Sequence, residues 1–131
     1  MRTLTITVDI AVAPDAVMAY ASNPLHLPQW APGFASSISP SGDEWLVRMA
    51  DGTEVRLWFT PPNADGILDH VVYLPDGEEV MNTMRVTPGN ASGSTVSFVL
   101  HQRQGMNDAE LMRDAELVRA DLLRLRSMLE D

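Results

Sequence analysis

Apolar and polar residues alternate strictly from Leu4 to Val12. Leu4, Ile6, Val8, Ile10 and Val12 share one side; Thr5, Thr7, Asp9 and Ala11 share the other. A period of two predicts a strand with one buried face. Pro14 follows where a first helical turn tolerates it, and Asp15 beside it favours the positive end of the helix dipole. Val17, Met18 and Tyr20 then predict a short helix ending near Ser22. Asn23-Pro24 opens a second short turn, which Pro28 stops before Trp30.

From about residue 34 to 103 the punctuation is that of a meander. Turn signals stand at Ser41-Gly42-Asp43, Asp51-Gly52, 61–66, Pro75-Asp76-Gly77 and Pro88-Gly89-Asn90. Strand-like runs fill the gaps at Trp45–Met49, Val55–Phe59, Ile67–Leu74, Val80–Val86 and Val96–Leu100. The final element is a helix from about Asp108 to Glu130, opened by Asn107 with Glu110 three residues on, a capping-box pattern. At ~100° per residue, Leu111, Ala115, Val118, Leu122, Leu125 and Leu129 fall within about 40° of one line, a stripe roughly 35 Å long. Asp114 and Asp121 line one margin of it, Arg119 and Arg126 the other, and both margins read as solvated flanks. A long amphipathic helix after a large antiparallel sheet must lie across one sheet face to hide its stripe.

The turns also set register. Leu74-Pro75-Asp76-Gly77-Glu78 suits a three-residue hairpin loop with Gly77 left-handed, which pairs Val72 with Val80, His70 with Asn82 and Leu68 with Met84. The same device at Met49–Thr53 pairs Val47 with Val55 and Trp45 with Leu57. If the loop after Val86 keeps parity, Met84 faces Phe98 and Asn82 faces Leu100. All these registers gather the apolar residues on one face, as expected when that face is buried.

The order strand, two short helices, about six strands, long helix resembles the START-like superfamily, also called SRPBCC, which includes the major birch pollen allergen and the polyketide cyclase/dehydrase-like proteins. Ala13-Pro14-Asp15-Ala16-Val17 with Tyr20 is similar to its first-helix opening, and Leu27-Pro28-Gln29-Trp30-Ala31 to its second turn. Leu68-Asp69-His70, Pro75-Asp76-Gly77 and Gly105-Met106-Asn107-Asp108 resemble strings in small bacterial members. The resemblance covers essentially the whole chain. It implies an α+β helix-grip fold over residues 1–131 as one domain, with six to seven antiparallel strands wrapped around the C-terminal helix. It also implies a hydrophobic-ligand cavity, but no single reaction, since members include enzymes, carriers and partner-binding domains.

Composition narrows the possibilities. The 131 residues include no cysteine, which removes disulfides and thiolate chemistry. The formal charge of −9 opposes binding to a phosphate backbone or an anionic membrane. The N-terminus alternates from the start, unlike a signal peptide, and no apolar run approaches the ~20 residues of a membrane span. A cytoplasmic monomer or weak homodimer is expected. Histidines at 26, 70 and 101, without helical spacing, make no metal signature, and no glycine-rich nucleotide cradle is present; no cofactor is expected. His26 and His101, near element ends, are expected to be exposed.

Two polar residues interrupt the buried sheet face: His70 and Asn82, directly opposite each other with Cβ atoms about 5 Å apart. They are either a histidine satisfied by a neighbouring amide or a polar anchor in an apolar pocket. Trp30, Phe59, Met84 and Phe98 are candidate apolar walls, and Met112, near the start of the long helix, a candidate adaptable wall. Asp69 points to the opposite face by parity, leaving His70 as one inward titratable group. A carrier or sensor of a small apolar or amphipathic molecule is therefore the leading reading. A cyclase/dehydratase-type enzyme with His70 as proton-transfer group, and an interaction domain with a filled core, are the alternatives.

Overall fold

A computed structural model describes residues 2–131. Strand β1 (Thr3–Ile10) is followed by helix α1 (Pro14–Ala21), a 3-10 turn (Pro24–His26) and the one-turn helix α2 (Leu27–Trp30). Strands β2 (Ala35–Ser41), β3 (Glu44–Met49), β4 (Glu54–Phe59), β5 (His70–Tyr73), β6 (Glu79–Pro88) and β7 (Ser94–His101) then form a meander, and α3 (Asp108–Glu130) ends the chain. One seven-stranded antiparallel sheet results, in the order β1-β7-β6-β5-β4-β3-β2. Every neighbour in it is a hairpin partner except β1, which closes onto β7.

The registers read from the turns are those formed. His70 faces Asn82 and Val72 faces Val80; Val47 faces Val55, Trp45 faces Leu57 and Met84 faces Phe98. Gly77 (φ +92°) and Gly52 (φ +91°) take the left-handed position in their three-residue loops, and Leu74 and Met49 close those loops through Glu78 and Thr53. Gly66 is required for a different reason: a Cβ there would lie 2.1 Å from the Val86 carbonyl oxygen. Two strands are shorter than the alternation implied. β1 ends at Ile10 instead of Val12, and β5 spans only His70–Tyr73, with Ile67 bridging Arg85 alone.

The inner face of the sheet carries Ile6, Val8, Ile10, Leu57, Val72, Met84, Val96 and Phe98, all buried. Onto it pack Val17 and Met18 of α1, Leu27 and Trp30 of α2, and Leu111, Leu122 and Leu125 of α3. The capping box forms in both directions: Glu110 N–H donates to Asn107 Oδ1 (2.8 Å) and Asn107 N–H to Glu110 Oε1 (3.1 Å). The helix rests mainly over β1, with β7 and α2 alongside. Its far end is tied down by Ala11 N–H donating to Glu130 Oε2 at 2.8 Å. Among the described residues no helix is long and apolar enough to cross a membrane.

Candidate functional site

Because α3 rests mainly over β1, the middle of the sheet is not packed against it directly. A cavity of about 320 Å³ fills that space. Its floor is β5, β6 and β7: His70, Val72, Leu74, Val80, Asn82, Phe98 and Leu100. One wall is α2 and the loop after it, from Leu27 and Trp30 to Phe34; the roof is α3, through Asp114, Leu117, Val118, Asp121 and Leu122. A second cleft, between the end of α1 and the β4 end, includes Trp45, Phe59 and Pro61 but no titratable side chain.

Of the seven candidate residues, His70, Asn82, Trp30 and Phe98 line the main cavity together. Phe59 and Met84 are buried but do not line it: Met84 is sealed in the core, and Phe59 stacks behind the His70 ring at 5.3 Å. Met112 is a correction. It is 48% exposed and outside the lining, because it sits one residue, ~100° of helix, past Leu111 and so away from the sheet. His26 is likewise half-buried, not exposed; it stacks on Tyr20 at 4.3 Å and its Nδ1 lies 2.8 Å from the Tyr20 carbonyl.

His70 is held from three sides. Phe59 stacks flat against it, Phe98 meets it edge-on at 5.8 Å, and its Nδ1 lies 3.0 Å from the Leu68 carbonyl oxygen. A carbonyl only accepts, so Nδ1 carries the hydrogen and Nε2 is left as an acceptor. Burial pushes the imidazole pKa below its ordinary value, against weaker opposing pulls from the Leu68 carbonyl and Asp69. The ring is therefore neutral at pH 7. Asn82, opposite, makes no side-chain hydrogen bond among the described residues and does not partner His70. Asp69 faces the other way: its carboxylate takes Arg85 Nη2 at 2.7 Å, Nε at 3.1 Å and Met84 N–H at 3.1 Å. The Arg85 bonds hold its pKa low.

The expectation of one inward titratable group is overturned. Asp114 and Asp121, read as a solvated flank, both line the cavity, and Arg103 joins them from the β7–α3 loop. Asp121 is buried, at 8% exposure. Its Oδ1 accepts from Gly33 N–H (3.3 Å) and Arg124 Nη1 (3.2 Å), yet desolvation still pushes its pKa up. Asp114 is raised too, first by burial, with Arg103 pulling the other way. Arg103 reaches Glu78 at 3.4 Å. A glycine at 33 leaves room for Asp121: a Cβ there would meet Oδ1 at 3.0 Å, and the carboxylate would have to shift by a few tenths of an ångström. Trp30 Nε1 is the one side-chain nitrogen or oxygen among the described residues that is sealed in the interior without a hydrogen-bond partner.

A long C-terminal helix roofing a cavity on a seven-stranded sheet is the helix-grip arrangement. The sequence matches the family described as polyketide cyclase / dehydrase and lipid transport over residues 1–130. The chain belongs to that family. Solved structures share its fold. The protein XoxI from Bacillus cereus is similar with a TM-score of 0.81 at 16% identity, over 100% of this chain and 97% of that one. A START superfamily protein from Mycobacterium smegmatis gives 0.74 at 12%, over 98% and 97%. The Aha1 dimer from Colwellia psychrerythraea gives 0.72 at 16%, over 99% and 97%. At such identities the likeness shows the fold alone. No curated protein matches the chain.

Among the described residues no three His, Asp or Glu side chains are grouped to hold a metal ion. What the polyketide cyclase / dehydrase and lipid transport fold presents here is an apolar floor with a few polar groups set into it. Such a surface can bury the body of an amphipathic molecule and orient one polar end.

Proposed function

We propose that the protein is a carrier or sensor for a small amphipathic molecule held between the sheet and α3. The observation that carries this reading is the Asn82 carboxamide, 9% exposed, bordering a cavity of about 320 Å³ without a protein partner. The amide opens onto the cavity instead of into the packed core, so its hydrogen-bonding groups are available to a bound polar atom in place of water. The cavity exceeds the ~300 Å³ below which ligand pockets become rare, which counts against a filled core used only for protein contacts. The family's description, which includes lipid transport, points the same way.

Native mass spectrometry of the full chain, purified without detergent, tests this. The expected result is an adduct that leaves on denaturation, with the emptied protein then binding the neutral probe N-phenyl-1-naphthylamine. No adduct and no probe binding would overturn the proposal. The protein is taken here to work as a single cytoplasmic domain, monomeric or weakly dimeric; light scattering at micromolar concentration giving a tight tetramer would contradict that.

A second reading, a cyclase/dehydratase-type enzyme, is favoured by one observation: a neutral imidazole shares the cavity lining with two aspartates whose pKa values are raised. General acid–base chemistry needs at least two titratable groups within reach of one bound atom. His70→Phe separates the readings, since an enzyme loses turnover with binding retained, whereas a carrier loses affinity.

A further inference from the structure

We propose, building on the ligand-binding reading above, that the cavity selects a ligand whose polar end is a hydrogen-bond donor, a hydroxyl or an ammonium, and rejects a carboxylate on the same apolar body. Two observations converge on this, and a third is compatible with it. The tautomer of His70 is set by the Leu68 carbonyl, so the ring offers the cavity a lone pair at Nε2 and no hydrogen. Asp121 uses Oδ1 for Gly33 and Arg124, leaving Oδ2 as a further acceptor, and the Asp114 carboxylate makes no hydrogen bond among the described residues. The Asn82 carboxamide is unpartnered as well, and can accept or donate.

Trp30 Nε1 is the single sealed, partnerless side-chain atom among the described residues. The free Asn82 amide and His70 Nε2 therefore still have open space before them, and the lining places that space in the cavity. Charge agrees with the acceptor count. The lining carries two aspartates against one arginine, a net of −1, inside a chain of net charge −9. Arg103 does not reverse this, since Glu78 already holds it at 3.4 Å and Asp114 feels its charge. An entering carboxylate would meet His70 Nε2 and Asp121 Oδ2 lone pair to lone pair, a repulsion that low-dielectric walls amplify. A hydroxyl donates to either.

The test uses three probes with one body, 2-naphthol, 2-naphthylmethylammonium and 2-naphthoate, with naphthalene as the apolar control, titrated calorimetrically into full-length protein at about pH 7.5. The expected result is that naphthol and the ammonium bind at least about tenfold tighter than naphthoate, the scale of one charge-assisted hydrogen bond. His70→Phe should erase the advantage of naphthol over naphthalene. Asp121→Asn keeps size and an acceptor for Gly33 N–H, and should raise naphthoate affinity several-fold while lowering that of the ammonium; Asp114→Asn serves if that variant does not fold. Naphthoate binding as tightly as naphthol overturns this proposal and leaves the ligand-binding reading standing. Failure of all four compounds to bind overturns both.

Discussion

Two leucines on one face of α3 should respond differently to the same truncation, because one borders the cavity and the other does not. Leu122 and Leu125 are 1% and 0% exposed, so solvent access does not distinguish them. Leu122 lines the cavity; Leu125 is packed outside its lining. Leu→Ala removes three carbons, a transfer loss of ~2.4 kcal/mol at about 0.8 kcal/mol per carbon. At Leu125 the void is sealed, and ~75 Å³ at about 24 cal/mol per Å³ adds ~1.8 kcal/mol. Leu125→Ala should therefore cost ~4 kcal/mol. At Leu122 the new space merges with the existing cavity, and the atoms around it already lack partners on that side, so the void contributes little. Its cost should lie near ~2.5 kcal/mol. Urea melts followed by circular dichroism, on protein refolded free of ligand so that binding does not shift the midpoint, measure both. Equal losses, or a larger loss for Leu122→Ala, would refute the placement of the cavity. A loss below ~0.5 kcal/mol for both would remove the stripe from the core.

Glycine 66 and glycine 77 both have positive φ, yet only Gly66 faces backbone at 2.1 Å. Gly77→Ala should cost ~1–2 kcal/mol of left-handed strain, and Gly66→Ala should lose the folded state's sharp melting transition; similar melting of the two variants would count against the Gly66–Val86 approach. The lowered pKa of His70 makes stability depend on pH with a definite sign. Its contribution is complete above the ordinary value of 6.5 and falls as pH drops below it, because the unfolded chain then takes up the proton first. Unfolding free energies of wild type and His70→Phe at about pH 7.5 and pH 5 should diverge in favour of the variant on acidification. The raised aspartates slope oppositely but cancel in that comparison, so parallel lines would show that His70 is not buried neutral.

Most of the sheet was legible because a strand has only two faces and a turn glycine fixes parity. Gly52 and Gly77 set the pairing of β3 with β4 and of β5 with β6, and each register then had to agree with the apolar alternation on both strands. That is why the sequence alone places His70 and Asn82 inward and opposite each other. Their lack of a mutual hydrogen bond was not legible. It depends on how the two side chains turn, His70 with Nδ1 toward the Leu68 carbonyl, and alternation says nothing of side-chain rotation.

The helix is harder, since its faces are continuous and a margin turns inward or outward according to where the axis rests. Seven strands at about 4.8 Å spacing span roughly 29 Å, whereas a helix with its side chains is about 10–12 Å wide. One helix cannot cover such a sheet. With α3 seated over β1 and β7, and α1 and α2 covering part of the remainder, including part of β6, the strip above β5 and the Val80–Asn82 stretch of β6 is left open. The cavity is that uncovered strip. The same offset turns the Asp114–Asp121 margin, three residues behind Leu117 and before Arg124, over the cavity instead of into water. A polar margin that reads as solvated flank in the sequence thus becomes a roof bearing carboxylates. Lateral position of the helix, set by the contact of Leu111, Leu122 and Leu125 with the core and by the Glu130 tether to Ala11, decides both that the cavity exists and what charge it presents.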